Sequence, residues 1–222
     1  MSYLVILTLY KDTLLLDSQL NHIYNQSLTP SFVIVYQINP SLNIEHLKEK
    51  YNFIHVLQDN TIKFEKFFKC LSYDVEYCIF MDDFIIPGLK CFQNYITQCE
   101  NLNSIIGAKG YRVNDKNNIF SKKENHLMDY VSCLVCIKKQ HIPYAFSMIS
   151  PCYDVNISEY IHLCVSNKIH NISTYSSIEI NRSETFHLSQ KPIQNFIMPF
   201  VKKNKIKEFE EYYIQEFNHN YI

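Results

Sequence analysis

The stretch "YDVEYCIFMDDFIIPGLKCF", residues 73–92, gives the clearest indication of the fold. Its apolar run 77–81 ends in two adjacent carboxylates, Asp82 and Asp83, and a second apolar run stops at Pro87-Gly88. A short apolar run bounded by polar and turn residues is typical of a buried strand. We therefore predict a strand over 77–81 that carries two acids at its carboxyl end.

Similar apolar runs and segments of helical periodicity alternate before and after this strand. Strands are predicted over 4–9, 32–36, 53–57, 104–113, 128–137 and 170–175. Helices are predicted over 13–26 with Asp12 as its cap, 41–50, 62–73, from Pro87-Gly88 to about residue 101, and over 155–168. Alternation of this kind indicates an α/β domain with a mainly parallel central sheet flanked by helices. Ligands of such sheets collect at the carboxyl ends of the strands, where the two acids are expected.

The remaining segments are more polar or lack a clear period. Residues 114–125 are predicted to be a loop, and 181–204 are predicted to be irregular. Residues 205–217 have the pattern of an amphipathic helix. We therefore predict one domain over 1–204, followed by a helix or tail over 205–222.

Composition narrows the classes of function. The 222 residues include 21 basic and 22 acidic residues, which argues against a nucleic-acid-binding surface. No apolar run reaches the roughly 18 residues of a membrane span, so no transmembrane segment is expected. The apolar run 3–10 is too short for a signal peptide and lacks a basic segment before it, so we expect a cytoplasmic protein. In that reducing compartment the eight scattered cysteines are expected to be small buried residues.

Two neighbouring carboxylates at a buried strand end are costly unless another charge offsets theirs. A divalent cation provides that charge, and hard carboxylate oxygens suit Mg²⁺ or Mn²⁺, which also bind phosphate oxygens. The residues thus favour a metal–diphosphate site at the carboxyl edge of the sheet. The alternative from the residues alone is a helix cap beside an ordinary loop acid.

The segment 76–92 also resembles the region around the DxD motif of GT-A fold glycosyltransferases. The resemblance continues in order through "LTLYKDTLLLDSQLNHIYNQSLTPSFVIVYQIN", "QDNTIKFEKFFKCLSYDVEY", "SIIGAKGYRV", "MDYV" and "CYDVNISEYIHLCVSNKI". It spans roughly residues 3–175. The chain has only three glycines, Gly88, Gly107 and Gly110, and each falls where the family pattern has glycine. We expect them at positions of positive φ or of close backbone approach.

The resemblance implies a Rossmann-like GT-A fold, a UDP-sugar donor, Mn²⁺ or Mg²⁺, and a glycan or other hydroxyl acceptor, with inversion at the anomeric carbon. It implies that Asp154 is the general base, that Asp129 holds the acceptor, and that Asp83 and His187 bind the metal. It further implies that the nucleotide is bound by Gln37, Asn60, Lys66 and Asp82. Ordinary roles remain open for several of these residues: a helix cap for Asp154, a strand-edge acid for Asp129, a loop histidine for His187 and an exposed helix lysine for Lys66.

The sequence departs from the family pattern at several of these positions. Phe84 stands where the last acid of the motif usually binds the metal, so either Asp83 takes over by a shift of one residue or metal binding is weakened. Gln37 and Asn39 stand near the place of the usual nucleotide-binding Asp. Lys66 replaces an Arg, which keeps the charge and loses the bidentate fork.

These departures keep two other classes of function open. One is a non-catalytic sugar- or nucleotide-binding module on a decayed GT-A fold. The other is a sugar-nucleotide nucleotidyltransferase, which would have a glycine-rich basic loop after its first strand. The segment "LTLYKDT" contains no glycine and argues against the second class.

Overall fold

The computed structural model describes residues 1–10, 13–58, 65–103, 105–113, 119–122, 130–143, 169–171 and 177–179. Its strands are β1 (Tyr3–Leu9), β2 (Phe32–Gln37), β3 (Ile54–Leu57), β4 (Tyr77–Asp82), β5 (Ile85–Pro87), β6 (Ile105–Val113), β7 (Ile119–Lys122), β8 (Tyr130–Lys138), β9 (Ile169–Asn171) and β10 (Ser177–Glu179). Its helices are α1 (Leu16–Tyr24), α2 (Glu45–Lys48), α3 (Glu65–Leu71) and α4 (Cys91–Leu102).

Eight of these strands form one sheet, in the order β3-β2-β1-β4-β8-β6-β7 with β9 added to β6. Strands β1 to β4 run parallel to one another, and β9 runs parallel to β6. Strand β8 enters antiparallel between β4 and β6, and β7 pairs antiparallel with β6. The predicted α/β class, with a mainly parallel sheet, is confirmed.

Helices cover both faces of the sheet, which explains why β1 and β4 are buried along their whole length. On one face, alternate residues of β1 pack with α1, α2 and α4 in a single core cluster. On the other face, Phe67 of α3 packs edge-on against Phe80 of β4, with ring centroids 4.6 Å apart. Side chains of a strand alternate between faces, so Asp82 shares the α3 face with Phe80.

The helices are shorter than their sequence patterns predicted. Helix α1 begins at Leu16, and its cap position is Leu15 without a side-chain hydrogen bond, so the predicted cap by Asp12 is wrong. Helix α4 begins at Cys91 because Ile85–Pro87 form β5, which pairs antiparallel with β10. Helix α2 is a single turn within the predicted 41–50.

The second half of the sheet differs from the prediction at β7 and at the glycines. Residues 119–122 pair with β6, although 114–125 were predicted to be a loop. None of the three glycines, all of them in the described part of the chain, has a positive φ. Gly107 instead lies at an irregularity in the pairing of β6 with β8. The expected positive φ is therefore wrong.

Two further expectations concern the cysteines and the membrane. The cysteines with described side chains, Cys70, Cys78, Cys91, Cys99 and Cys136, are buried free thiols. In the described ranges, no helix has both the length and the apolar character needed to cross a membrane. The predicted helices over 155–168 and 205–217 and the irregular segment 181–204 lie outside the described residues.

Candidate functional site

Three neighbouring parallel strands bring polar residues together at their carboxyl ends. In the register of the sheet, Thr8 of β1 lies beside Tyr36 of β2 on one side and Asp82 of β4 on the other. The chain turns from β1 to β2 and β3, and then returns to place β4 on the opposite side of β1. The junction of β1 and β4 is therefore a topological switch point, where open α/β sheets bind their ligands.

The two acids lie in a short segment that we call the acidic turn, residues 82–85, between β4 and β5. Asp82 is 5% exposed and Asp83 is 3% exposed. The backbone N–H of Tyr10 donates a hydrogen bond to Oδ2 of Asp83 at 3.0 Å. Phe84 lies in the core cluster of the sheet. The end of β1 thus orients one of the carboxylates.

Gln19 of α1 holds the backbone of the acidic turn at both ends. Its side chain is completely buried. Nε2 donates to the carbonyl oxygen of Asp82 at 3.3 Å and to that of Ile85 at 2.8 Å. The sequence analysis did not identify Gln19, although its position in the apolar stripe of α1, between Leu16 and Leu20, is a signal that could have done so.

Helix α3 adds two charged groups on the same face of the sheet as Asp82. Glu65, which is mostly buried, accepts a hydrogen bond from the hydroxyl of Tyr36 at 3.0 Å and lies 3.3 Å from Nζ of Lys69. Lys66 is 1% exposed, and its ammonium group lies 5.3 Å from the ring centroid of Phe67. Lys66 is thus not the exposed helix lysine of the alternative interpretation.

A buried hydroxyl completes this polar group. Thr8 is completely buried, and its Oγ1 has no hydrogen-bond partner within the described part of the chain. Burial of a polar atom without a partner costs free energy, and such atoms often mark places where water or a ligand binds. Thr8, Tyr36 and Glu65 were not predicted. The register of the sheet makes Thr8 and Tyr36 neighbours, and a tertiary hydrogen bond joins Glu65 to Tyr36.

Gln37, at the end of β2, uses its amide within the chain. Nε2 donates to the carbonyl oxygens of Asn39 at 2.6 Å and Leu42 at 2.9 Å. Its Oε1 lies 2.8 Å from Nε2 of His55, which must be the donor because Oε1 can only accept. Burial, and secondarily Lys48, lowers the pKa of His55 below its usual value. Gln37 thus shapes the loop that follows β2.

The carboxylates of the acidic turn suit a divalent cation by the chemistry of their donor atoms. Within the described residues, no three His, Cys, Asp or Glu side chains form a metal-binding group. Mg²⁺ is commonly held through one or two carboxylates, with water and phosphate oxygens in its other positions. An ionised carboxylate can accept several bonds at once, so the hydrogen bond from Tyr10 is compatible with a cation at Asp83. The residues present therefore fit a cation shared with a phosphate ligand.

The structure brings together only part of the predicted site. Asp82 and Asp83 are buried at the carboxyl edge, and Gln37 lies at the end of β2. Lys66 is buried on α3, whose Glu65 contacts Tyr36 near the same edge. The other predicted site residues, Asn60, Asp129, Asp154 and His187, lie outside the described residues and stay predictions.

Neither a protein-family model nor a curated protein matches this chain. Solved structures do match it, and these have the GT-A-like fold of a glycosyltransferase. In particular, the chain is similar to TarS of S. aureus. The two share 13% identical residues at a TM-score of 0.61, over 99% of this chain and 74% of the crystallised TarS 1–349. This similarity confirms the predicted GT-A-like fold.

Two further TarS structures match this chain with similar sequence identities and TM-scores. TarS 1–349 in complex with UDP-GlcNAc is 11% identical at a TM-score of 0.60, over 99% of this chain and 74% of that one. A longer TarS structure is 12% identical at a TM-score of 0.60, and this chain covers 45% of it. The chain thus spans less than half of the longer TarS chain. At these identities the similarity establishes the fold alone.

Proposed function

We propose that this chain is a glycosyltransferase that moves a sugar from a nucleotide-sugar donor, a UDP-sugar, to a hydroxyl group of a glycan or another acceptor. The observation that carries the proposal is the acidic turn at the switch point between β1 and β4, with Lys66 buried on the same face as Asp82. The similarity to TarS, which was solved with UDP-GlcNAc and with UDP, supports the choice of donor.

In this proposal the carboxyl edge binds the donor. Asp82 contacts the nucleotide, together with Lys66, Gln37 and Asn60, and Asp83 binds Mn²⁺ or Mg²⁺. When bound, the cation neutralises charge on the diphosphate as it leaves. Lys66 adds a positive charge from α3, which stabilises the same developing charge in a site with little water.

The acceptor side of the proposal rests on residues outside the described ranges. The acceptor oxygen attacks the anomeric carbon, the bond from that carbon to the diphosphate breaks, and the electron pair leaves with the diphosphate. Asp154 takes the acceptor proton, and the attack from the opposite face inverts the configuration. Asp129 holds the acceptor hydroxyl, and His187 completes the metal site.

Donor binding is tested by titration with UDP in Mn²⁺ and in EDTA. We expect Mn²⁺-dependent binding that Asp83→Asn weakens strongly, because the amide lacks the charge that holds the cation. Asp74→Asn is the matched control, since Asp74 is exposed and lies just before β4, at the end away from the site. Equal affinity in Mn²⁺ and in EDTA would show that the metal has no role.

The base is tested separately with Asp154→Asn, an amide that still caps a helix and cannot accept the proton. Turnover on a competent acceptor should fall by about 10²–10⁴-fold, while UDP affinity stays unchanged. A product with the donor's anomeric configuration, or near-full activity of the variant, contradicts the inverting mechanism.

Two observations favour a second candidate, a nucleotide-binding module without catalysis. Phe84 occupies a core position instead of a metal-ligand position, and the amide of Gln37 is used in hydrogen bonds within the chain. Binding of UDP with neither transfer nor hydrolysis of UDP-sugars would support this candidate.

We also propose that the protein works in the cytoplasm. Free thiols, such as the buried cysteines that the structure describes, persist in reducing compartments.

A further inference from the structure

We propose that Gln19 is a positioning residue that holds the acidic turn in the shape in which Asp82 and Asp83 meet the donor, an inference that rests on the proposed function. Its Nε2 donates to both carbonyl oxygens, at 3.3 Å for Asp82 and 2.8 Å for Ile85. These two carbonyls flank Asp83 and Phe84. One amide therefore fixes the backbone before and after the metal-binding acid.

The position of Gln19 is one that packing alone would give to an apolar residue. It lies on the buried stripe of α1 with Leu16, Leu20 and Ile23, which are all in the core. A buried amide must regain its hydrogen bonds inside the protein, and Oε1 of Gln19 has no partner among the described residues. Packing therefore does not explain the glutamine, whereas its two bonds to the acidic turn do.

The two hydrogen bonds from Gln19 act together with two other contacts of the acidic turn. The N–H of Tyr10 holds Oδ2 of Asp83, and the ring of Phe84 is anchored in the core. Each contact comes from a different part of the structure. Without Gln19 the backbone on either side of Asp83 keeps its strand pairing and loses one hydrogen bond at each end, so the carboxylate spends less time in the geometry that binds a cation.

The chain contains a matched control for this inference. Gln26, just after α1, is 5% exposed. Its side-chain amide also forms hydrogen bonds to two points of the backbone, here in the segment that leads into α4. Its Nε2 donates to the carbonyl oxygen of Gly88 at 2.7 Å, and its Oε1 accepts the N–H of Phe92 at 3.1 Å. Gln26→Leu therefore removes these two bonds and a third, from Nε2 to the carbonyl oxygen of His22 at 3.0 Å, and leaves the bonds to the acidic turn in place.

The experiment compares Gln19→Leu with Gln26→Leu in the full chain by two measurements. The first is amide hydrogen exchange at residues 83–86, which we expect to accelerate in Gln19→Leu only. The second is the affinity for UDP in Mn²⁺, which we expect to fall by about 10- to 100-fold in Gln19→Leu and to stay near wild type in Gln26→Leu. Thermal melting shows whether the two variants lose similar stability.

A second variant, Gln19→Glu, keeps the size and shape of the side chain and makes the affinity for UDP depend on pH. Its protonated carboxyl group can still donate one hydrogen bond to the turn, whereas the ionised form cannot donate and adds a negative charge beside the acids. UDP affinity in Mn²⁺ should therefore fall with rising pH in this variant and not in wild type. This comparison remains available if Gln19→Leu fails to fold.

The outcomes separate the inference from the function on which it rests. If wild type binds UDP with Mn²⁺ and both leucine variants lose affinity equally, or if exchange at residues 83–86 is unchanged in Gln19→Leu, the positioning role is overturned. If wild type does not bind UDP while exchange accelerates in Gln19→Leu alone, the proposed function is overturned and Gln19 is still shown to hold the turn.

Discussion

Three consecutive residues of the acidic turn have three different surroundings. Asp82 lies on the α3 face of the sheet, Asp83 is held by the N–H of Tyr10, and Phe84 is anchored in the core cluster. A carboxylate at position 84 would have to enter the core to replace Phe84. The proposed metal ligand is therefore Asp83, which agrees with the shift by one residue that the sequence left open.

Phe84→Asp should destabilise the protein and should not improve metal binding. The change removes a buried ring and places a carboxyl group in an apolar core, at a cost of about 3–5 kcal/mol. Urea unfolding followed by circular dichroism measures the loss, with Phe84→Leu as a control that keeps apolar contact. Tighter Mn²⁺ binding by Phe84→Asp at unchanged stability would show that residue 84 faces the site.

His55 should make the fold less stable in mild acid. Burial and Lys48 lower its folded pKa below about 6.5, although Glu45 at 3.8 Å partly opposes them, so the unfolded chain binds a proton more readily. The contribution of neutral His55 to the free energy of unfolding is present above pH 6.5 and is lost as the pH falls. The variant His55→Gln can keep the hydrogen bond to Gln37 and cannot titrate. Between pH 7.5 and 5.5 its melting temperature should therefore fall less than that of wild type, as measured by thermal melts at several pH values. An equal change of melting temperature with pH in wild type and in His55→Gln would contradict this prediction.

At the scale of elements, the parallel strands were predictable and the short ones were not. Strands β1, β2, β3 and β4 lie within one residue of their predicted ends. Strands β1, β2 and β4 are continuous apolar runs because they are buried on both faces, and β3 is a short run rich in apolar residues at the edge of the sheet. Strands β5, β7 and β10 exist through pairing with partners that no local pattern reveals.

The residues of the candidate site were likewise predictable only in part. Asp82 and Asp83 were predictable because two acids after an apolar strand are visible in the sequence. Gln19 was not, because its role depends on carbonyls 63 and 66 residues further along the chain. Helix ends were missed for a related reason: the last residues of α1 and the first of α4 are set by tertiary hydrogen bonds such as those of Gln26.

The end of α4 gives a test at this scale. Asn103 has φ 44° and ψ 51°, a left-handed conformation that glycine and asparagine tolerate best, and it is the only non-glycine residue at positive φ in the described ranges. Asn103→Ala should lower the free energy of unfolding by about 1 kcal/mol. Asn103→Gly should leave it unchanged or raise it, as measured by urea unfolding. A similar loss in both variants would instead point to the contact of Asn103 with Lys138.

At the scale of the whole molecule, a core cluster of the described residues joins the two kinds of strand in the sheet. The core cluster runs from Tyr3 to Cys136 in sequence and joins one face of the sheet to α1, α2 and α4. It unites the parallel strands with the antiparallel β8, so these parts form one folding unit. The predicted domain over 1–204 contains this unit, and 205–222 is proposed as an addition to it.

The sequence predicts that residues 205–222 form a helix or tail added to the domain, so their removal should leave the fold intact. We expect the melting temperature to stay within about 2–4 °C of wild type, the shift that 1 kcal/mol causes in a domain of this size. Differential scanning calorimetry of the shortened chain measures it, and UDP titration provides a second readout. A drop of about 10 °C or more would place the last segment within the cooperative unit.

The position of β1 in the sheet has a consequence for how the protein is made. This strand is synthesised before both of its neighbours in the sheet, and one of them, β4, begins only at Tyr77. At about 5–20 residues per second, roughly 3–15 s pass before that neighbour exists. During this time β1 offers an open apolar edge that can pair with other chains. The nascent protein is therefore expected to depend on chaperones, and slow synthesis between β3 and β4 is expected to increase aggregation.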